Sequence, residues 1–161
     1  MKKEGMTMKE IYKEIFKGNI ESVNKLIDSR GEQNLRDESE RTPLIHAIID
    51  NKLEIANLLI SRGADVNAQD NLGYTALHYA SQNYFLESCK LLLENNASVD
   101  IVDEHGNSPL FRAVFNSRGR GEVIQLLLQF GANKDLKNKY GVSPLALAKT
   151  IANYNVKQFL E

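Results

Sequence analysis

The sequence repeats itself with a period of 33 residues, and this period restricts the fold more than any other feature. An acidic or amide residue recurs at spacings of 33, 33 and 35: Asp37, Asp70, Asp103 and Asn138. The same offsets connect a set of hydroxyl residues and a set of leucines: Thr42, Thr75, Ser108 and Ser143, and Leu44, Leu77, Leu110 and Leu145. A unit of this length cannot bury its apolar face alone, so neighbouring units must stack into a continuous core.

Each unit carries the signals of two short helices. In the unit from 37 to 69, Thr42 is a good N-cap and Pro43 occupies the first helical position, where a missing N–H costs nothing. One side of the first helix is apolar and consists of Leu44, Ala47 and Ile48. A second, more apolar helix follows around 55–60, and Gly63 lies just past it, where a left-handed residue is favoured. Gly131 and Asn96 occupy the same place in other units, and Asp-x-x-Gly at 70–73 predicts a turn between units.

Four stretches share a six-residue pattern: TPLIHA at 42–47, TALHYA at 75–80, SPLFRA at 108–113 and SPLALA at 143–148. They resemble the ankyrin repeat, whose signature is T-P-L-H-x-A. The resemblance extends from about Thr7 to Glu161. It implies an all-α ankyrin-repeat solenoid of about five helix-turn-helix units, joined by β-turn or hairpin loops.

We predict one domain from 7 to 161, made of units at about 7–36, 37–69, 70–102, 103–137 and 138–161. The first unit lacks the signature and is rich in lysine and glutamate, and the last unit stops after Phe159-Leu160 with Asn155, Lys157 and Gln158 on its second helix. We expect them to be degenerate capping repeats, since a terminal unit has no neighbour to cover it. Residues 1–6 are predicted to form a flexible N-terminal tail.

Composition argues against several classes of protein. The formal net charge of −1 gives no general reason to expect nucleic acid or an anionic membrane as partner. The single cysteine, Cys89, excludes a disulfide within the chain. No apolar run reaches the roughly 18 residues needed to cross a bilayer, and the N-terminus does not resemble a signal peptide. We therefore expect a soluble, cytoplasmic, monomeric protein.

No motif carries catalytic, cofactor or metal chemistry, so we predict no enzyme, no catalytic residue, no cofactor, no metal and no small-molecule substrate. The resemblance implies that His78 hydrogen-bonds backbone between adjacent repeats, whereas His105 lies on a turn and is expected in solvent. His46, His78 and His105 belong to different repeats at non-equivalent positions, which argues against a shared metal site. Cys89 aligns with apolar positions on the second helices, which predicts a buried, inert thiol.

The resemblance implies a protein partner that contacts the hairpin tips and the exposed side of the first helices, which together form a concave surface. Helical spacing opposite the core, shifted from repeat to repeat, locates these positions. The predicted partner-binding residues are Arg41, Ile49, Asp50, Leu72, Tyr74, Tyr79, Gln82, Asn83, His105, Asn107, Arg112, Phe115, Asn116, Arg118 and Arg120. The apolar members are expected to be uncovered and to form a binding patch. The alternative is that Tyr79 and Phe115 pack against the next repeat.

Charge is distributed unevenly. The segment from 37 to 105 contains 12 acidic and 4 basic residues and would steer a basic partner there. Two further interpretations stay open: an inhibitor, immunity-type protein or host-directed effector that occupies its target, and, less favoured, nucleic-acid binding through the basic C-terminal end. The two extra residues of the fourth unit lie around 117–121, between its two helices. They form either a recognition loop or a loop without a role.

Overall fold

The computed structural model describes the backbone of residues 4–161 and the side chains from Glu10 onward. Within the described backbone the secondary structure is helical, and no strand is present. The α-helices are α1 (Glu4–Lys17), α2 (Ile20–Arg30), α3 (Pro43–Ile49), α4 (Leu53–Ser61), α5 (Ala76–Asn83), α6 (Leu86–Glu94), α7 (Pro109–Phe115), α8 (Glu122–Gln129) and α9 (Pro144–Thr150). Short 3-10 helices follow α2 at Glu32–Asn34 and α9 at Val156–Phe159.

The helices form two layers. The first layer is α1, α3, α5, α7 and α9, in which each helix packs against the next. The second layer is α2, α4, α6 and α8, and each of these helices also packs on the first-layer helix that precedes it in the chain. One continuous apolar core lies between the layers and includes fully buried leucine and isoleucine side chains from every pair. Stacking thus supplies the core that no single pair could enclose.

The predicted N-caps are confirmed. The side-chain oxygens of Thr42, Thr75, Ser108 and Ser143 each accept a hydrogen bond from the backbone amide three residues later. A proline occupies the first turn of α3, α7 and α9. The second helices of the middle units end as predicted on residues with positive φ, which are Gly63, Asn96 and Gly131. Local chemistry therefore sets the N-terminal ends of α3, α5, α7 and α9 and the C-terminal ends of α4, α6 and α8.

The turns between units stack on one another at their tips. Each tip is held internally because one oxygen of Asp37, Asp70, Asp103 or Asn138 accepts hydrogen bonds from the backbone amides two and four residues later. Adjacent tips are joined by backbone hydrogen bonds from Asn71 to Ser39, from Glu104 to Leu72 and from Lys139 to His105. The tips thus form a continuous row along one edge of the first layer.

The two ends of the chain differ from the middle. Helix α1 begins at Glu4, within the segment 1–6 for which we predicted a flexible tail, and residues 1–3 of that segment lie outside the described residues. At the other end, the partner of α9 is the 3-10 helix Val156–Phe159 instead of a full α-helix. The two extra residues of the fourth unit lie in the connection between α7 and α8, as the alignment predicted. The proposed unit boundaries stay predictions.

Candidate functional site

In the three middle units, a residue on the first helix (α3, α5 or α7) holds the turn that precedes it. Nine residues after each turn aspartate, a polar side chain bonds the second carboxylate oxygen. His46 Nε2 lies 2.7 Å from Asp37 Oδ2, and the Tyr79 hydroxyl donates to Asp70 Oδ2 at 2.6 Å. Asp103 Oδ2 accepts from Arg112, whose Nε lies 3.0 Å away. We did not foresee this role for Tyr79 and Arg112, which we had placed among the partner-binding residues.

Further contacts tie each tip to the next unit. The Arg41 guanidinium donates to the Tyr79 hydroxyl at 3.1 Å and lies 3.4 Å from Asp70 Oδ2. The Tyr74 ring stacks on His78 with 5.3 Å between ring centroids, and the Arg112 guanidinium lies 4.8 Å from the Tyr74 centroid. These rings and guanidinium groups form a connected row beneath the tips, which we call the tip network. It holds the edge of the first layer in one arrangement.

Burial and hydrogen bonds shift the pKa values of two groups in and beside the tip network. Burial would raise the pKa of Asp103, but the hydrogen bonds from Arg112 and from the amides of Asn107 and His105 outweigh it and lower that pKa. Burial, followed by the hydrogen bond to Asp70, raises the pKa of Tyr79 to about 12, so its hydroxyl stays a donor. The charges of Arg41 and Arg112 are thus largely balanced by buried carboxylates.

His78 bridges adjacent units, as the ankyrin resemblance implied. Its Nδ1 accepts from the Thr75 amide at 3.1 Å, which leaves the proton on Nε2, and Nε2 donates to the Asn107 carbonyl at 3.0 Å. Burial lowers the pKa of His78 to about 4, so the ring is neutral near pH 7. His105, by contrast, is exposed on its turn, as predicted. Cys89 is also buried as expected, and burial raises the pKa of its thiol to about 12.

Two of the predicted partner-binding residues are not on the surface. The side chain of Tyr79 is 7% exposed, so the expectation that it lies uncovered is wrong. Its hydroxyl is drawn to Asp70 and Arg41, and its ring lies 5.1 Å from that of Tyr74. Asn107 is 6% exposed because its side chain accepts from Asn138 and approaches Asp103. Both positions serve packing between units.

The remaining predicted residues lie on or near the surface. Phe115 is 64% exposed and Leu72 is 40% exposed, so the alternative that Phe115 packs against the next repeat is wrong. Other members are half-buried: Arg41, Ile49, Asp50, Tyr74, Gln82, Arg112 and Asn116. Asn83, His105, Arg118 and Arg120 are exposed. The amide nitrogens of Asn83 and Asn116 donate to carbonyls one turn earlier, which fixes their orientation at the ends of α5 and α7.

The connection between α7 and α8 is anchored by aromatic side chains. The Tyr84 hydroxyl lies 2.9 Å from the Ala113 carbonyl and 3.0 Å from that of Arg120, whose guanidinium lies 3.9 Å from the Tyr84 centroid. The rings of Phe159 and Tyr154 lie so close to Gly121 and Gly119, respectively, that a Cβ at either glycine would collide with the ring. Sequence reasoning missed Tyr84. A signal was present, because it occupies the left-handed position taken by Gly18 and Asn51 in other units.

No helix among the described residues is long and apolar enough to cross a membrane. No three His, Cys, Asp or Glu side chains in the described part of the chain lie close enough together to hold a metal ion.

Comparison with known proteins gives the family. The family model for ankyrin repeats (3 copies) matches residues 12–103, 63–138 and 81–160, which together span nearly the whole chain. A search of curated proteins finds no match. Ankyrin repeats are in general protein–protein interaction modules and are typically without enzymatic activity. The chain, with its stacked helix pairs and joined turn tips, belongs to the ankyrin-repeat family.

Proposed function

We propose that the chain is a non-catalytic protein-binding module, and that its partner contacts the turn tips and the exposed side of the first layer, which would be the concave face. The observation that carries the proposal is the exposure of Phe115 and Leu72 beside the tip network. Large apolar side chains on a rigid polar frame are typical of binding hot spots, because little conformational entropy is lost when they are covered.

We further propose that five units make up the module, with the outer two as caps. Pairing of α1 with α2 and of α9 with the 3-10 helix supports this count. In this proposal Phe115, Leu72 and Tyr74 contact the partner directly. Tyr79 and Asn107 act indirectly, since their side chains are used to hold neighbouring tips.

The test compares two double variants of the chain after its partner has been identified by crosslinking and mass spectrometry. Leu72→Ala with Phe115→Ala removes two exposed anchors and should weaken binding at least about tenfold, since a hot-spot truncation costs about 1–2 kcal/mol or more. Ile20→Ala with Phe130→Ala removes exposed apolar side chains from the start of α2 and from the C-terminus of α8, both in the second layer, and should leave the Kd unchanged. Calorimetry and urea unfolding measure both effects.

Equal binding by Leu72→Ala/Phe115→Ala and the unchanged chain would contradict the proposed surface. If the double variant lost binding only because it no longer folded, Leu72 and Phe115 would belong to the core. An inhibitor, immunity-type protein or host-directed effector would use the same surface, and only the identity of the partner separates these roles.

Nucleic-acid binding at the C-terminal end is less well supported than protein binding. Arg112 is paired with Asp103, and the Arg120 guanidinium lies over Tyr84. Lys134 Nζ donates to the Leu160 carbonyl at 2.6 Å. Fewer basic groups are thus free to meet phosphates than the sequence suggested.

A further inference from the structure

The acidic excess of the segment from 37 to 105 is partly neutralised within the turn tips. Asp37, Asp70 and Asp103 are engaged within the tips by His46, Arg41 and Arg112. Glu40 and Glu104 form ion pairs, and Asp65 and Asp100 accept hydrogen bonds from backbone amides. The other carboxylates of the 37–105 segment have neither an ion-pair partner nor a hydrogen-bond donor among the described residues: Glu38, Asp50, Glu54, Glu87 and Glu94. Three of these five, Glu54, Glu87 and Glu94, lie on α4 and α6 in the second layer. Most of the unpaired carboxylates of this segment therefore lie on the second layer.

These three carboxylates border a groove between α4 and α6. The groove has a volume of about 340 Å³ and is open to solvent. Its apolar part consists of Leu53, which is 36% exposed, and the half-buried Leu91. Lys90 is the one basic residue in its lining, so the lining carries a formal charge of −2. An apolar floor with an acidic border is complementary to an apolar side chain flanked by cations.

The dimensions of the groove suit a short helix. Glu87, Lys90, Leu91 and Glu94 are spaced i, i+3, i+4 and i+7, so they share one face of α6. Each of the two helices has nine residues, which corresponds to a length of about 13 Å. Two to three turns of a partner helix could lie along this length, with one apolar stripe toward Leu53 and Leu91.

We propose that the groove between α4 and α6 binds a cationic amphipathic helix of a protein partner. Its lysine or arginine side chains pair with Glu54, Glu87 and Glu94, and aliphatic side chains on the same face cover Leu53 and Leu91. The negative lining repels phosphate groups, which argues against nucleic acid and anionic lipid as occupants. This surface is separate from the tip surface of the proposed function, so either proposal can fail without the other.

The test uses two synthetic 14-residue helical peptides with the same leucine stripe, one carrying lysines and the other glutamates on the polar positions. Titration of the ¹⁵N-labelled chain should shift the backbone resonances of Leu53, Glu54, Glu87 and Leu91 with the lysine peptide only. The affinity should fall with added salt, because the contacts between the charged side chains are screened.

Two variants decide the assignment: one removes three carboxylates from the groove, and the other removes two carboxylates elsewhere. Glu54→Gln/Glu87→Gln/Glu94→Gln should weaken the lysine peptide at least about tenfold, since three exposed ion pairs contribute about 0.5 kcal/mol each. Glu38→Gln/Asp50→Asn removes unpaired carboxylates from a tip and from the first layer, and should leave the affinity within about twofold. Leu72→Ala/Phe115→Ala should also leave it unchanged.

If Glu38→Gln/Asp50→Asn weakened the lysine peptide as much as the triple groove variant does, the effect would be one of general charge and the proposal would be overturned. Resonance shifts confined to the first layer would overturn it too, as would equal binding of the glutamate peptide. Shifts in the groove that depend on protein concentration without peptide would identify a second copy of the chain as its occupant, and would overturn the proposal as well.

Discussion

His78 shows how one side chain carries both a local and a long-range interaction. Its Nδ1 completes the cap at Thr75, three residues earlier, and its Nε2 reaches the Asn107 carbonyl in the next unit. Arg112 also has two roles: it pairs with Asp103 in its own unit and lies over the ring of Tyr74 in the preceding unit. At these positions a single residue contributes to helix initiation, turn geometry and stacking.

The neutral state of His78 predicts a pH dependence of stability. Since its folded pKa of about 4 lies below the unfolded value of about 6.5, the unfolded chain binds a proton in this window and the folded chain does not. The stability that the neutral His78 contributes is therefore present above the unfolded pKa and is lost as pH falls from 6.5 toward 4. Between pH 7 and pH 5, His78 should account for about 2 kcal/mol of this loss.

Urea unfolding of the unchanged chain and of His78→Gln measures the contribution. The difference between their free energies of unfolding should shrink as pH falls from 7 to 5, because the histidine at position 78 titrates and the glutamine that replaces it does not. His105→Gln replaces an exposed histidine, and its free energy of unfolding should depend on pH as that of the unchanged chain does. A difference between the unchanged chain and His78→Gln that is independent of pH would contradict the neutral, buried state.

At the scale of elements, the turn tips depend on glycine for two separable reasons. Gly73 has φ +76° and Gly141 has φ +75°, so both occupy the left-handed region. A Cβ at Gly73 would lie 2.9 Å from the amide nitrogen of Glu104, whereas a Cβ at Gly141 would meet nothing within 4 Å. The two turns share this left-handed backbone, but the turn of Gly73 is covered by the tip of the next unit and the turn of Gly141 is not.

Alanine at these two glycines should separate conformational strain from tip stacking. Gly141→Ala should lower the free energy of unfolding by about 1 kcal/mol, the cost of left-handed backbone. Gly73→Ala should cost about 1–3 kcal/mol more, because the new methyl group displaces the Glu104 amide from the Leu72 carbonyl. Hydrogen exchange of the Glu104 amide should also accelerate in Gly73→Ala. Equal losses in the two variants would show that the tips do not stack.

At the scale of the whole molecule, the repeats share one core, so the middle units should open together. Cys89 reports on this opening because its side chain is fully buried in α6 and its thiol has a raised pKa. Reaction with an aromatic disulfide reagent at pH 8 should be at least about a thousandfold slower in the native chain than in urea, given stabilities of about 5 kcal/mol or more. Protection below tenfold would indicate local opening of α6 alone.

The variant His78→Gln extends this measurement. It alters α5 and the turn that precedes α7, and Cys89 lies on neither element. If the units unfold cooperatively, the labelling rate of Cys89 should rise by the factor that corresponds to the measured loss of stability. An unchanged labelling rate would show that α6 opens independently of its neighbours.

The sequence by itself determined the period, the helix ends and the turns. These depend on contacts within a few residues, such as the hydroxyl of Thr42 bonding the amide of Ile45, and they recur in the four units that carry the signature. The buried histidine and the buried cysteine could also be predicted, because their positions in the repeat are core positions. The location of the extra residues of the fourth unit followed from the same alignment.

Only the tertiary structure decided which side chains stay free. Tyr79 and Phe115 both lie opposite the core by helical spacing, yet the Tyr79 side chain is buried against Asp70 and Arg41 whereas Phe115 is 64% exposed. The anchoring of 117–121 by Tyr84 and the acidic groove between α4 and α6 likewise arise from contacts between adjacent units. Such contacts join residues about 30 positions apart, so their outcome depends on side-chain geometry across neighbours and cannot be derived from the pattern of one repeat.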